Sequence, residues 1–376
     1  MSEALGGCAP IVLCINAGSS SLKTALFRCG PDGPEELERH EETGDASAGI
    51  DTMVDRALSA LQGDLVDFDA VGHRVVHGGP LHDAPVVVTD RVLDDLRAVV
   101  PLAPLHQPAA LDCIELLRSR VPDVPQIACF DTTFHRTMPE HAQRFALPAP
   151  LWETGVRRYG FHGLSYEYVV AALGPELGGR SVIAHLGSGA SLVALRDGRA
   201  VDTTMGLTPA GGLVMSTRAG DLDPGVVTYL VREQGLDADA LDRLFDRESG
   251  MLAVSARSGD MRTLLDARAT DPRSALAVEL FCYAACKQIG ALAAVLGGIE
   301  TLVFTGGIGA PSAVVRAEIC ARLDHLGVVL DAAANEASSA VISRSAAACT
   351  VRVIVTDEEQ VIARHAAELV GTRAAS

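Results

Sequence analysis

Several short segments carry residue types that could handle an anion. Gly18-Ser19-Ser20-Ser21 offers successive backbone N–H groups and hydroxyls, with Lys23 two residues beyond, a combination that suits phosphate oxygens. A serine-rich hairpin turn is the plain alternative. His185-Leu186-Gly187-Ser188-Gly189 and Gly306-Gly307-Ile308-Gly309 follow apolar runs and supply two more turns where backbone can approach a ligand closely. Arginines lie in segments too rich in glycine and histidine to be ordinary helix faces: His73 to Gly79 around Arg74, Arg157 to Gly163, and Thr217 to Asp221 around Arg218. Fork-shaped guanidinium groups recognise carboxylates and phosphates. A surface ion pair is the competing reading of each arginine.

Carboxylates stand at the ends of strand-like runs. Asp131 follows Ile127-Ala128-Cys129-Phe130 and either lines a ligand crevice or caps a following helix. Asp357-Glu358-Glu359 and Asn16 pose the same choice. Other chemistries lack their signatures. There is no G-x-x-x-x-G-K-[ST], no full G-x-G-x-x-G after Thr305, and no G-x-S-x-G around any serine. His73 and His77 have no third ligand at zinc spacing, and Cys282 and Cys286 read as helix core.

At 376 residues the chain favours two domains. Ile11 to Asn16 and Leu22 to Phe27 read as strands joined by the small-residue turn, and Val182 to Val193 repeats that pattern 169 residues later. A spacing near half the chain points to a duplicated domain facing its copy, with the ligand in the cleft between them. Asp90 to Val100, Ala109 to Arg120, Arg273 to Leu296 and Val314 to Leu326 read as helices; Gln126 to Phe130, Thr301 to Thr305 and Val351 to Val355 read as strands. A last helix from Glu358 onward is expected to cross back to the first domain. The order is α/β.

With 31 basic and 48 acidic residues the formal charge is −17, which argues against general binding to nucleic acid or to an anionic membrane. Hydrophobic residues at 48% and charged residues at 21% describe an ordinary globular chain. Nine scattered cysteines without CxxC pairs suit a reducing cytoplasm, and Met1 to Pro10 lacks the features of a signal peptide. Phe281 to Ile299 contains Lys287, Gln288 and two adjacent glycines, and reads as a buried helix and not a membrane span.

Taken together, Ile15 to Lys23, His73 to Gly79, Phe130 to His135, Arg157 to Gly163, His185 to Gly189, Thr217 to Pro224, Phe304 to Gly309 and Thr356 to Glu359 resemble the acetate kinase family. The resemblance runs in the family's order from residue 11 to about residue 365. It implies two duplicated actin-like, ribonuclease H-like domains around a central nucleotide cleft. The expected division is residues 1–131 plus 360–376 against residues 132–359. It also implies ATP and ADP as co-substrates, Mg²⁺ or Mn²⁺, acetate or another short-chain carboxylate as acceptor, and a homodimer.

The resemblance assigns roles residue by residue. Asn16 and Glu358 match positions that support the metal, and Lys23 a phosphate-contacting lysine. Arg74 and Arg218 match the arginines that hold the carboxylate and the transferring phosphoryl group, with Asp131 beside them as the acid/base or orienting carboxylate and His162 against the transition state. His185, Leu186, Gly187, Ser188 and Gly189, then Asp260, Met261 and Arg262, then Gly307, Ile308, Gly309 and Ala310 match ATP-binding segments. Val76, Leu105, Phe161 and Pro209 match the acyl pocket, and His106 another active-site histidine.

The chain departs from the family pattern at Ser188 (usually Asn), Leu164 and Tyr166 (Thr and His), Gln107 (Asn), Ala210-Gly211 (Leu-Glu), Ala310-Pro311 (Glu-Asn) and Asp357 (Asn). None removes a charged group from the catalytic set. Two rivals follow: a propionate or butyrate kinase on the same scaffold, and a nucleotide-gated binding protein that has lost catalysis.

Overall fold

The computed structural model describes residues 9–18, 21–43, 50–60 and 67–374. Ser19 and Ser20 of the first small-residue turn, and the first eight residues considered for a signal peptide, lie outside them. The chain forms two compact units, one of residues 1–133 with 357–376, the other of residues 134–356.

The first unit contains β1 (Ile11–Ala17), β2 (Ser21–Gly30), β3 (Gly33–Thr43), β4 (Ala70–Val75), β5 (Val86–Val87) and β6 (Gln126–Phe130), in the order β3-β2-β1-β4-β6-β5. β2 runs antiparallel to both β1 and β3, whereas β4 lies parallel to β1 and β6 parallel to β4, and the short β5 pairs antiparallel with β6. Parallel central strands are covered on both faces, which is why β1 is an unbroken apolar run. Leu13 and Ile15 pack with Met53, Val54 and Leu117 from helices Ile50–Ala60 and Gln107–Arg120. The alternate positions meet helix Glu358–Ala374, to whose Glu359 carbonyl the Cys14 thiol donates at 3.3 Å. Gly72 on β4 is required by that packing, because a Cβ there would overlap Ile362 Cγ2.

The second unit repeats the arrangement with β7 (Arg180–Leu186), β8 (Ala190–Arg196), β9 (Arg199–Thr203), β10 (Thr301–Thr305) and β11 (Thr350–Val353), in the order β11-β10-β7-β8-β9. Again three antiparallel strands precede two parallel additions. This shared order is the duplicated ribonuclease H-like, actin-type α/β fold. One face packs Ile183, Val193 and Val303 against Tyr166 and Val169 of helix Gly163–Leu173. Against β7 and β8 lies helix Pro272–Leu296.

That long helix is the one among the described residues whose length and composition would allow it to cross a membrane. Ten of its residues are buried, while Leu276, Tyr283 and Val295 are exposed, so the expectation of a buried helix holds for one face only. Three further expectations need correction. The helix expected from Val314 to Leu326 runs Ala313–Cys320 and is followed by a separate single turn at Asp324–Leu326. Gly327 then reverses the chain at φ +80°, and Val328 pairs with Cys349, a tertiary pairing that outweighs helix propensity. Gly306 to Gly309 is one helical turn rather than an open loop. The last strand ends at Val353, leaving Val355 exposed.

Candidate active site

In the first unit, Asn16, Arg74 and Asp131 stand at the carboxyl ends of the adjacent parallel strands β1, β4 and β6, where α/β sheets bind ligands. Arg74 Nη2 donates to Asp131 Oδ2 at 2.6 Å, and Nε lies 3.2 Å from both carboxylate oxygens. The Asp131 carboxylate thus serves the arginine. Arg74 Nη1 donates to Asn16 Oδ1 at 3.2 Å, and Nε lies 3.5 Å from Glu358 Oε2. Burial disfavours the Arg74 charge, but Asp131 and Glu358 more than restore it and raise its pKa overall. Burial raises the pKa of Glu358, with Glu359 adding to the rise and Arg74 opposing it.

Behind this group sits a second layer held by Arg39, a residue that nothing in the sequence pattern singles out. Asn16 Nδ2 donates to the buried Glu359 Oε1 at 2.8 Å, which fixes the amide so that its oxygen faces Arg74. Arg39 on β3 holds Glu359 at 3.0 Å and Asp357 at 2.6 Å. Asp357, one of the departures from the family pattern, thereby acquires a charge partner. Lys23, paired with Asn16 across β1 and β2, is half-exposed and 3.9 Å from Glu41. Gln107 replaces the usual Asn and brackets His77, accepting from its N–H at 3.1 Å and donating to its carbonyl at 3.0 Å. His106 occupies the N-cap position of helix Gln107–Arg120, Val76 is buried, and Leu105 is partly buried.

The oxygen donors of Asn16 and Glu358 are the hard ligands that Mg²⁺ takes. Among the described residues no three His, Cys, Asp or Glu side chains are grouped to hold a metal by themselves. The set therefore fits an ion that keeps waters and phosphate oxygens in most positions.

In the second unit, His162 is held at φ 59°, a left-handed conformation that costs energy in a residue other than glycine. It lies just after Gly160, where a Cβ would come within 2.6 Å of the His135 ring. The His162 ring stacks on His185 with centroids 4.2 Å apart and planes 14° from parallel. His162 Nδ1 is 2.8 Å from Ser191 Oγ, which also hydrogen-bonds the Tyr166 hydroxyl. His185 Nδ1 is 2.8 Å from Ser165 Oγ. Arg218 Nη1 donates to the Pro209 carbonyl at 3.3 Å.

The predicted nucleotide segments assemble around these residues within the second unit. Ser188 O accepts from Ser216 N at 3.1 Å, two residues from Arg218. Gly259, just before Asp260-Met261-Arg262, packs so closely on Ser216 that a Cβ would lie 2.7 Å from its carbonyl. Gly306 at φ +81° approaches Leu186 equally closely, placing the Gly307-to-Ala310 turn beside Leu186-Gly187. Asp260 caps helix Met261–Ala267, accepting at 2.8 Å from both the N–H and the hydroxyl of Thr263; these bonds lower its pKa. Phe161 is buried and its carbonyl bonds His135 Nε2 at 2.9 Å. Of the expected acyl-pocket residues, Val76 and Leu105 belong to the first unit, as does the active-site histidine His106, and Phe161 and Pro209 belong to the second.

Residues 29–364 match the model of the acetokinase family. The acetate kinase of Rhodopseudomonas palustris is 45% identical over 94% of this chain and 97% of that protein. The acetate kinase of Micrococcus luteus is 44% identical over 96% and 99%, respectively. Among solved structures, Porphyromonas gingivalis acetate kinase superposes with a TM-score of 0.84 at 37% identity, covering 96% of this chain and 100% of that one. A propionate kinase from Francisella tularensis gives 0.87 at 32% identity, covering 95% and 98%. With its duplicated fold, its Arg74–Asp131 pair and its His162–His185 stack, the chain belongs to the acetokinase family.

Proposed function

We propose that this protein is an acetate kinase that reversibly transfers the γ-phosphoryl group of ATP to acetate, giving acetyl phosphate and ADP by direct in-line displacement. Arg74 carries the reading: its guanidinium is partly buried, charged and aimed by Asp131 at the carboxyl ends of the central strands. Acetate is already ionised at neutral pH, so attack on phosphorus needs no strong general base. Two anions must instead be brought together, and positive charge does that. Arg74 and Arg218 hold the carboxylate and the phosphoryl oxygens, and His162 supports the charge that spreads over the equatorial oxygens in a loose transition state. Asp131 orients Arg74 and takes no proton.

Lys23 contacts phosphate in this reading. The segments His185 to Gly189, Asp260 to Arg262 and Gly307 to Ala310 bind the nucleotide. Asn16 and Glu358 would hold Mg²⁺, or Mn²⁺ in its place, and the ion would neutralise phosphate charge. Val76, Leu105, Phe161 and Pro209 receive the acyl group, and His106 also contacts the substrate. The protein works as a cytoplasmic homodimer that binds neither nucleic acid nor membrane.

The likeness to a propionate kinase supports a second reading in which the longer acid is preferred. One methylene in an apolar pocket is worth only about 1–3 kcal/mol, so both acids are expected to react. The test is a hydroxamate assay for acyl phosphate with ATP and Mg²⁺ on acetate, propionate and butyrate, with Arg218→Ala as control. Product with acetate, lost in the control, supports the kinase, and the ranking of acids decides between the two readings. ATP binding with no product from any acid overturns both in favour of a nucleotide-gated binding protein.

A further inference from the structure

We infer that Ser191 and Tyr166 are positioning residues that fix the tautomer of His162, keeping the proton on Nε2 so that this nitrogen donates. The benefit to catalysis rests on the phosphotransferase reading; the tautomer itself rests on the geometry.

Ser191 Oγ lies between two partners, His162 Nδ1 at 2.8 Å and the Tyr166 hydroxyl. Ser191 and Tyr166 are both fully buried, in the core between β8 and helix Gly163–Leu173. Serine has one proton to give, and a phenol is a stronger acid than an alcohol. Tyr166 therefore donates to Ser191, and Ser191 donates to His162 Nδ1. A neutral imidazole that accepts at Nδ1 carries its proton at Nε2.

Nε2 is turned toward the glycine turn and the arginine. A Cβ built on Gly189 would sit 3.5 Å from His162 Nε2 and 3.3 Å from Arg218 Nη1, so the two nitrogens address the same small region. There, an N–H adds to the arginine's hold on an anionic oxygen, whereas a lone pair would repel it. The stack on His185, itself bonded to Ser165, fixes the ring plane. Tyr166 stands where the family pattern has His, so in this chain the relay runs through a phenol.

The test uses the full-length protein labelled with ¹⁵N-histidine and long-range ¹H–¹⁵N correlation, with His162→Gln to assign the signals. The expected pattern is a protonated Nε2 and a bare Nδ1 for His162. In folded Tyr166→Phe the pattern becomes a mixture of tautomers, and kcat falls about tenfold while the KM values for ATP and acetate stay within twofold. Ser191→Ala has the same effect, and Ser191→Thr restores both readouts. A wild-type signal with the proton on Nδ1 overturns the inference, as does a Tyr166→Phe protein with unchanged tautomer and kcat. The spectrum is readable whether or not acyl phosphate forms, so failure of the kinase reading stays distinct from failure of the relay.

Discussion

Arg74 grips Asp131 through Nε and Nη2, the shortest contact being 2.6 Å, while Asp131 itself is only 1% exposed. A buried carboxylate that serves an arginine in this way sets both its direction and its charge. Asp131→Asn keeps the shape and removes the charge. Acyl phosphate turnover is expected to fall about 100-fold, and stability by about 1–3 kcal/mol, because Arg74 loses its nearest counter-charge and keeps Glu358, 3.5 Å away. Hydroxamate kinetics and urea unfolding measure the two effects. Near-normal turnover with unchanged Mg²⁺ dependence would remove Asp131 from the site.

Arg218 has a different setting, with Nη1 donating to the Pro209 carbonyl and lying 3.6 Å from Met215 Sδ, and its charge opposes the rise that burial gives the pKa of half-buried Asp246. Arg218→Ala removes that positive charge, and Asp246 can answer by taking up a proton more readily. The expected result is a loss in kcat of about 100- to 1,000-fold with little change in the unfolding midpoint. Circular dichroism melts run beside the assay separate this from misfolding.

Gly72 offers a steric test of the unit that carries Arg74. Gly72→Ala drives a methyl group into Ile362 Cγ2 and displaces helix Glu358–Ala374, whose first residues are Glu358 and Glu359. Overpacking of this kind costs about 1–3 kcal/mol. Turnover should fall along with stability, and Gly72→Ala combined with Ile362→Ala should recover part of both. A single variant with wild-type melting and turnover would show that the helix is free to shift.

Two buried histidines make stability depend on pH. Burial lowers the pKa of His73 and of His135 to about 4, although Gln126 and the Phe161 carbonyl oppose the shift. Each is neutral when folded and takes up a proton near pH 6.5 when unfolded. Stability from each is thus complete above about pH 6.5 and is lost as the pH falls toward 4, by up to about 3 kcal/mol. Urea midpoints at pH 7, 6 and 5 should fall steadily, and His135→Gln should flatten part of that slope. An unchanged slope in the variant would mean that His135 keeps its proton in the fold.

The parts of the fold legible in the sequence are those where local pattern and burial agree. β1, β6 and β10 are central strands covered on both faces, so each is an apolar run bounded by small or polar residues. β3, by contrast, is Glu-rich and pairs only with β2 at a sheet edge, leaving no apolar signal to read. Helix Gly163–Leu173 starts at a left-handed His162 with no side-chain cap, so no start signal marks it. In the site, Arg74, Asp131 and Arg218 were legible as charged residues in unusual company. The Arg39–Glu359–Asn16 and Tyr166–Ser191–His162 connections were not, because each joins positions far apart in the chain.

Helix Glu358–Ala374 lies on β1, β4 and the other strands of the first sheet, although almost the whole chain separates it from them. During synthesis, residues 11–130 leave the ribosome with the Gly72 side of that sheet bare, and they stay so until the final segment is made. Closing a contact over that sequence separation is slow, and an uncovered apolar sheet face invites aggregation. The N-terminal half is thus the last to be finished. A nascent chain stalled before residue 357 also lacks Glu358 and Glu359, so the site stays incomplete, and the sheet uncovered, until the last stretch of translation.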